Sequence, residues 1–190
     1  MGKVIVAEFV TLDGVVEDPD GSGGLPEGGW AFHAGPEVFA GDKFGLGPIL
    51  ATGALLLGRV TWELFASRWP SRSGGFADAM NAVAKVVVSH RQLDLDAWSN
   101  SSALDGDLVD GVERLATDRD VAIAGSTSVV HQLAAADLVD EYRLITVPVA
   151  LGAGRQLFAA PAALRLVSVD TADTTLLARY ERSPRPAEEG

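Results

Sequence analysis

Residues 54–63 read ALLLGRVTWE, and this stretch decides the fold. Ala54-Leu55-Leu56-Leu57 is an unbroken apolar run, as expected of a strand covered on both faces. Gly58 ends the run and permits a tight turn with close backbone approach. From Thr61 to Phe65 the sequence takes on helical character. A strand, a glycine corner and a helix start leave backbone N–H groups free to face an anion. Arg59 lies inside this corner, where a guanidinium can fork onto a phosphate, and the Thr61 hydroxyl can add a bond. The same residues also read as a buried strand, a turn and a surface arginine.

A second corner of this kind follows further along. Val121-Ala122-Ile123-Ala124 is a strand that runs into Gly125-Ser126-Thr127-Ser128 and then a helix over 129–136. Hydroxyl residues of this sort favour helix starts, and the corner is a candidate cradle for a pyrophosphate. It lacks the GxGxxG pattern. Between the corners, a helix ends at Pro70, a short helix spans 76–84, and a strand spans 85–89 (KVVVS). Ser89 and Arg91 lie just past that strand and suit phosphate or ribose contacts; a surface arginine is the plain alternative. The stretch 93–102 is irregular, with Trp98 packing inward. Residues 107–117 form an amphipathic helix.

Ahead of the opening stretch, residues 3–10 (KVIVAEFV) form a strand that turns at Thr11-Leu12-Asp13-Gly14. Asp13 thus lies at a strand's carboxyl end, where open α/β sheets bind ligands, or it serves only as a turn former. The Gly- and Pro-rich stretch 17–36 is a long loop. In it, Trp30 and Phe32 either stack on a planar ligand or pin the loop to the body. A helix is expected within 37–50, weakened by Gly41, Gly45 and Gly47; it carries Asp42. After the second corner come a strand over 138–149, a Gly-rich turn, and an antiparallel pair over 164–171 and 174–182. Alternating strands and helices imply an α/β fold: a mostly parallel central sheet, helices on both faces, antiparallel C-terminal strands. One domain spans 1–182, and 183–190 is a flexible tail.

The 190 residues are 47% apolar, enough for one sizeable core. A net charge of −11 argues against nucleic acid. It also requires that any phosphate be captured by local groups against the overall field. There is no Cys, and the three His share no ligand spacing, so no metal site is expected. No stretch reads as a membrane span or signal peptide, and a cytoplasmic protein is the expectation.

Several segments together resemble a known family. They are Thr11-Leu12-Asp13-Gly14, LGRVTWE at 57–63, KVVVS at 85–89, Ala124-Gly125-Ser126, LVDEYRL at 138–144 and PVALGAG at 148–154. In this order they resemble the dihydrofolate-reductase-like superfamily. The likeness is greatest to stand-alone relatives of the reductase domain of riboflavin-biosynthesis deaminase-reductases. The resemblance implies NADPH as cofactor, a small heterocyclic substrate and a homodimer. It places the cofactor phosphates at Gly58 to Thr61, with Arg59 on the adenosine 2′-phosphate. Ser89 to Arg91 would flank the adenosine, and Gly125, Ser126, Thr127 and Ser128 would hold the pyrophosphate. Dihydrofolate reductases carry Gly-Gly where this chain has Gly125-Ser126. Two carboxylates compete as proton donor: Asp13, by analogy with the riboflavin-type reductases, and then Asp42, by analogy with dihydrofolate reductases. Asp140 and Glu141 match a family segment, and a structural role at a strand start is expected of them. Trp30 and Phe32 are the candidate substrate contacts. Dihydrofolate reduction and non-catalytic nucleotide binding on the same fold are the alternatives.

Overall fold

The apolar runs become the inner strands of one sheet. The structure is a computed structural model and describes residues 1–183; of the expected tail, only Ser183 falls among the described residues. The strands are β1 (Val4–Thr11), β2 (Ala54–Gly58), β3 (Ala84–Val88), β4 (Ser101–Ala103), β5 (Val121–Ile123), β6 (Glu141–Val147), β7 (Leu164–Ala172) and β8 (Thr175–Arg182). Their order is β4-β3-β2-β5-β1-β6-β8-β7. The first six are parallel, while β8 runs antiparallel to β6, and β7 to β8. This is the expected α/β arrangement, with the antiparallel pair at one edge. The helices are α1 (Gly47–Thr52), α2 (Arg59–Ala66), α3 (Gly75–Ala82), α4 (Leu108–Leu115) and α5 (Thr127–Ala135).

Every residue of β2 is buried, because both of its faces are covered. On one side Leu56, Val6 and Ile123 pack with Val112 of α4 and Val130 and Leu133 of α5. On the other, Leu55, Leu57, Ile5 and Ala7 pack with Ile49 of α1, Trp62 of α2 and Met80 of α3. Successive side chains of β1 therefore enter opposite layers, as strand geometry requires.

Three elements differ from the sequence reading. The expected helix within 37–50 is a 3-10 turn at Pro36–Phe39 followed by α1 alone. Gly41 and Gly45 adopt φ of 70° and 64°, which no α-helix continues through. The irregular stretch holds the short edge strand β4, and Trp98 packs inward, donating from Nε1 to Asn81 Oδ1 at 2.8 Å. The strand expected over 138–149 is regular only from Glu141 to Val147.

Glu141 opens β6 with its side chain fully buried. Arg143 Nε and Arg179 Nη2 each donate to it at 2.7 Å, and Lys3 Nζ lies 3.5 Å away. Arg143 also donates to the carbonyl oxygens of Phe44 and Gly45, tying the segment before α1 to the sheet. Burial opposes ionisation of Glu141, but the bonds from Arg143 and Arg179 outweigh it and lower its pKa. A lowered carboxylate pKa contributes stability above the unfolded value, lost as pH falls through the folded one. Glu141→Gln is therefore expected to destabilise the fold at pH 7 by about 3–5 kcal/mol, because it strands the arginines. It should also flatten the loss of stability below pH 4.5, the ordinary carboxyl value. Urea unfolding across pH tests both; an unchanged acid limb would contradict the assignment.

Candidate active site

The two glycine corners meet at the carboxyl rim of the sheet. The Gly58 N–H donates to the Gly125 carbonyl at 3.1 Å. A Cβ on Gly58 would lie 2.3 Å from Ser126 Oγ and 2.9 Å from Ser126 Cβ. Only a bare Cα lets the corners approach this closely. Gly125 has φ of 84°, and a Cβ there would sit 2.9 Å from Thr61 Oγ1. The Gly125–Ser126 peptide is cis.

Each corner opens a helix. Gly58 is the N-cap of α2 and Ser126 that of α5, and neither cap residue bonds its helix through a side chain. The first-turn N–H groups of two adjacent helices thus lack side-chain caps, which is how backbone binds an anion. Ser126 Oγ and Ser128 Oγ lie 3.0 Å apart and add hydroxyls to the cradle. Gly58 stands in register with Val88, so Ser89 sits beside the first corner. Its hydroxyl donates to the Arg91 carbonyl at 2.8 Å and accepts from the Arg91 N–H at 3.0 Å, forming a closed turn with Arg91 exposed. Arg59 is part-exposed and pairs with Glu63 one turn on at 2.7 Å. The structure thus brings Gly58, Arg59, Thr61, Ser89, Arg91, Gly125, Ser126, Thr127 and Ser128 to one stretch of rim.

The residues chosen for the substrate side are placed differently. Asp13 accepts from Thr11 Oγ1 at 2.5 Å, from the Leu151 N–H at 3.0 Å and from the Gly152 N–H at 2.6 Å. The bond from Thr11, then those from the backbone, hold its carboxyl below the ordinary range. Asp13 is a staple between two loops and stays ionised, the wrong state for a proton donor. Asp42 is exposed and accepts from Leu46 N–H at 2.6 Å and Gly47 N–H at 2.7 Å, bracing the approach to α1. Trp30 is 2% exposed and donates from Nε1 to the Glu17 carbonyl at 2.7 Å. It anchors the 17–36 loop and has no free face to stack on a ligand. Phe32 is 49% exposed, with its ring edge-on to Phe39 at 5.1 Å. Asp140 and Glu141 lie at the opposite, amino end of β6, in structural roles.

The residue that the sequence reading passed over is Glu8. β1 pairs with β5 only from Val4 to Val6, whereas its ladder with β6 continues to Thr11. β1 and β5 therefore part beyond Val6, at the carboxyl rim where such sheets bind ligands. Glu8 is half-buried there, on the strand face it shares with Val6 and Val10. Its Oε1 lies 3.6 Å from where a Cβ on Gly125 would stand. Burial alone pushes its carboxyl up to about 8. The sequence signal was a lone carboxylate within an apolar strand.

This strand order, with paired glycine corners at the carboxyl rim, defines an α/β domain with a mostly parallel sheet and an antiparallel C-terminal edge. Residues 2–178 match the model of the RibD C-terminal domain, and the chain belongs to that reductase-like family. No curated protein sequence matches the chain. Among solved structures, a Shewanella sp. PV-4 protein attributed to riboflavin biosynthesis is similar, at 20% identity and TM-score 0.73 over 96% of this chain and 99% of that one. A pyrimidine reductase-like protein of Corynebacterium diphtheriae is 11% identical with TM-score 0.64, covering 96% of this chain and 92% of that one. RibD of Acinetobacter baumannii is 14% identical with TM-score 0.59, over 97% of this chain but 59% of that one. At these identities the likeness is one of fold. Among the described residues, no group of side chains could hold a metal ion and no helix is long and apolar enough to cross a membrane.

The contact between corners predicts a specific coupling. Gly58→Ala should cost about 1–3 kcal/mol by overpacking against Ser126. Adding Ser126→Gly, which removes the clashing Cβ and Oγ, should recover part of that loss. Thermal unfolding of the two single variants and the double variant measures it; strictly additive losses would show that the corners do not touch.

Proposed function

We propose that this protein is an NADPH-dependent reductase of a small, pyrimidine-like heterocycle. Its reaction would resemble the reduction of 5-amino-6-(5-phosphoribosylamino)uracil in riboflavin biosynthesis. The observation that carries the reading is the contact of Gly58 with Gly125 and Ser126. It sets two uncapped helix starts side by side, a span suited to the phosphates of one dinucleotide. The corners fit such a group because a Cβ at either glycine would strike Ser126 or Thr61 and push the two helix starts apart.

Within this reading, the N–H groups at the starts of α2 and α5 hold the pyrophosphate, with Thr61, Ser126 and Ser128 adding hydroxyls. Arg59 meets the 2′-phosphate, trading its exposed pair with Glu63 for a doubly charged partner. The turn of Ser89 and Arg91 borders the adenosine. The net charge of −11 makes these local groups the sole source of attraction for an anionic cofactor. When bound, a reduced nicotinamide supplies a hydride. The chain's own task is to orient the substrate, exclude water and deliver a proton. Family membership and the pyrimidine reductase-like neighbour support a pyrimidine-like substrate.

Isothermal titration with NADPH should give saturable binding, and Arg59→Ala should weaken NADPH about tenfold or more while leaving NADH nearly unchanged. Absence of heat at high micromolar NADPH would overturn the reading, and equal losses for both cofactors would remove Arg59 from the 2′-phosphate. Oxidation of NADPH, followed by absorbance with the ribosylaminopyrimidine phosphate and with dihydrofolate in parallel, then separates the substrate classes.

A further inference from the structure

We propose that Glu8 is the proton donor of this reductase, its carboxyl group protonating the nitrogen or oxygen of the substrate's C=N or C=O bond. This rests on the reading of the rim as a nicotinamide cofactor site.

Position comes first. Beside the paired corners the β1–β5 ladder ends, at Val6 and Ile123. Glu8 is the second residue of β1 beyond that point and projects from the face that carries Val4, Val6 and Val10. Its Oε1 and the Thr61 hydroxyl both come within 3.6 Å of the empty Cβ position of Gly125. The carboxyl thus borders the second corner, next to the phosphate cradle, and a substrate that reaches that corner meets it.

Availability comes second. The Glu8 carboxyl has no hydrogen-bond partner among the described residues. Half-buried as it is, the carboxyl is free to meet a substrate. The other carboxylates considered are committed, Asp13 to Thr11, Leu151 and Gly152, and Asp42 to Leu46 and Gly47.

Protonation state comes third. Desolvation is the sole cause of the raised Glu8 pKa, with no contribution from a charged neighbour. Charged and titratable groups on the packed elements are engaged elsewhere: Arg143 of β6 with Glu141, Arg59 of α2 with Glu63, and His131 of α5 with the Gln156 carbonyl. Tyr142 of β6 stays neutral, its hydroxyl pushed up to about 12 by burial. With a pKa of about 8, Glu8 holds its proton at neutral pH, the state a general acid needs.

As the substrate carbon accepts the hydride that the cofactor supplies, the electron pair of the double bond shifts to nitrogen or oxygen. That atom takes the proton from Glu8, which becomes a carboxylate and is reprotonated from water.

The test is calorimetry of NADP⁺ and NADPH in buffers of different ionisation enthalpy, on wild type and Glu8→Gln. A positively charged nicotinamide beside Glu8 draws out its proton, and the neutral reduced ring does not. NADP⁺ should release more protons than NADPH, by up to about one near neutral pH. The subtraction cancels the 2′-phosphate common to both. Glu8→Gln should abolish the difference and still bind NADPH. On any substrate that wild type reduces, it should slow turnover by roughly 10²–10⁴-fold at unchanged NADPH affinity. Equal proton release by the two cofactors in wild type, a difference that survives Glu8→Gln, or an unaltered rate would each overturn the proposal. If Glu8→Gln does not fold, the carboxyl carbon resonance of Glu8 in ¹³C-labelled wild type decides: titration near pH 8 supports the proposal, and titration in the ordinary carboxyl range overturns it. Absence of NADPH binding by wild type would instead refute the cofactor reading itself.

Discussion

The hydrogen bond from the Gly58 N–H to the Gly125 carbonyl is the constraint on which the carboxyl rim depends. It extends the β2–β5 ladder past its last regular pair, Leu56 with Ile123, into the two turns. The chain visits β2, β3 and β4 before it returns to insert β5 between β2 and β1. That insertion puts two strand-to-helix turns next to each other, although 67 positions separate Gly58 from Gly125 in the chain. A side chain on Gly58 would force them apart. The absence of two Cβ atoms therefore produces a paired helix start that neither corner could provide alone.

The polar residues divide between the two ends of the sheet. At the amino end, Glu141 accepts from Arg143, Arg179 and Lys3, with Arg179 Nε the one buried polar side-chain atom left unpartnered among the described residues, and Lys85 Nζ donates to the carbonyls of Asn81, Val83 and Ser99. These groups are consumed by the fold. At the carboxyl end, helix N–H groups lack side-chain caps and the Glu8 carboxyl has no partner. A ligand site needs that imbalance, because groups already paired have little left to offer. The Thr11-Leu12-Asp13-Gly14 turn and the Gly-rich loop near 150 frame the rim by bonding to each other through Asp13, with Arg155 N–H donating to Glu17 in support at 3.1 Å.

Much of this was legible in the sequence. The run at 54–57 and the two glycine corners are local signals, and local signals indicate the inner strands, the two corners and the α/β class. The role of Asp13 was not legible, because two of its three partners, the Leu151 and Gly152 N–H groups, are 138 and 139 positions away in the chain, and its Asp-Gly sequence reads equally as a ligand-facing turn. For Trp30 the sequence leaves stacking and anchoring open, and its bond to the Glu17 carbonyl decides for anchoring. The break within 37–50 is signalled by Gly41 and Gly45, each of which costs a helix about 1 kcal/mol relative to Ala. Glu8 carried a signal of its own, a charge inside an apolar strand, yet its use depends on where β1 and β5 part.

The central claim is that one dinucleotide bridges both corners. Backbone amide NMR during titration with NADP⁺ tests it most directly. The account predicts that the amides of Arg59 to Thr61 and of Thr127 and Ser128 shift together, with one common midpoint. Shifts confined to a single corner, or two sets with different midpoints, would contradict it.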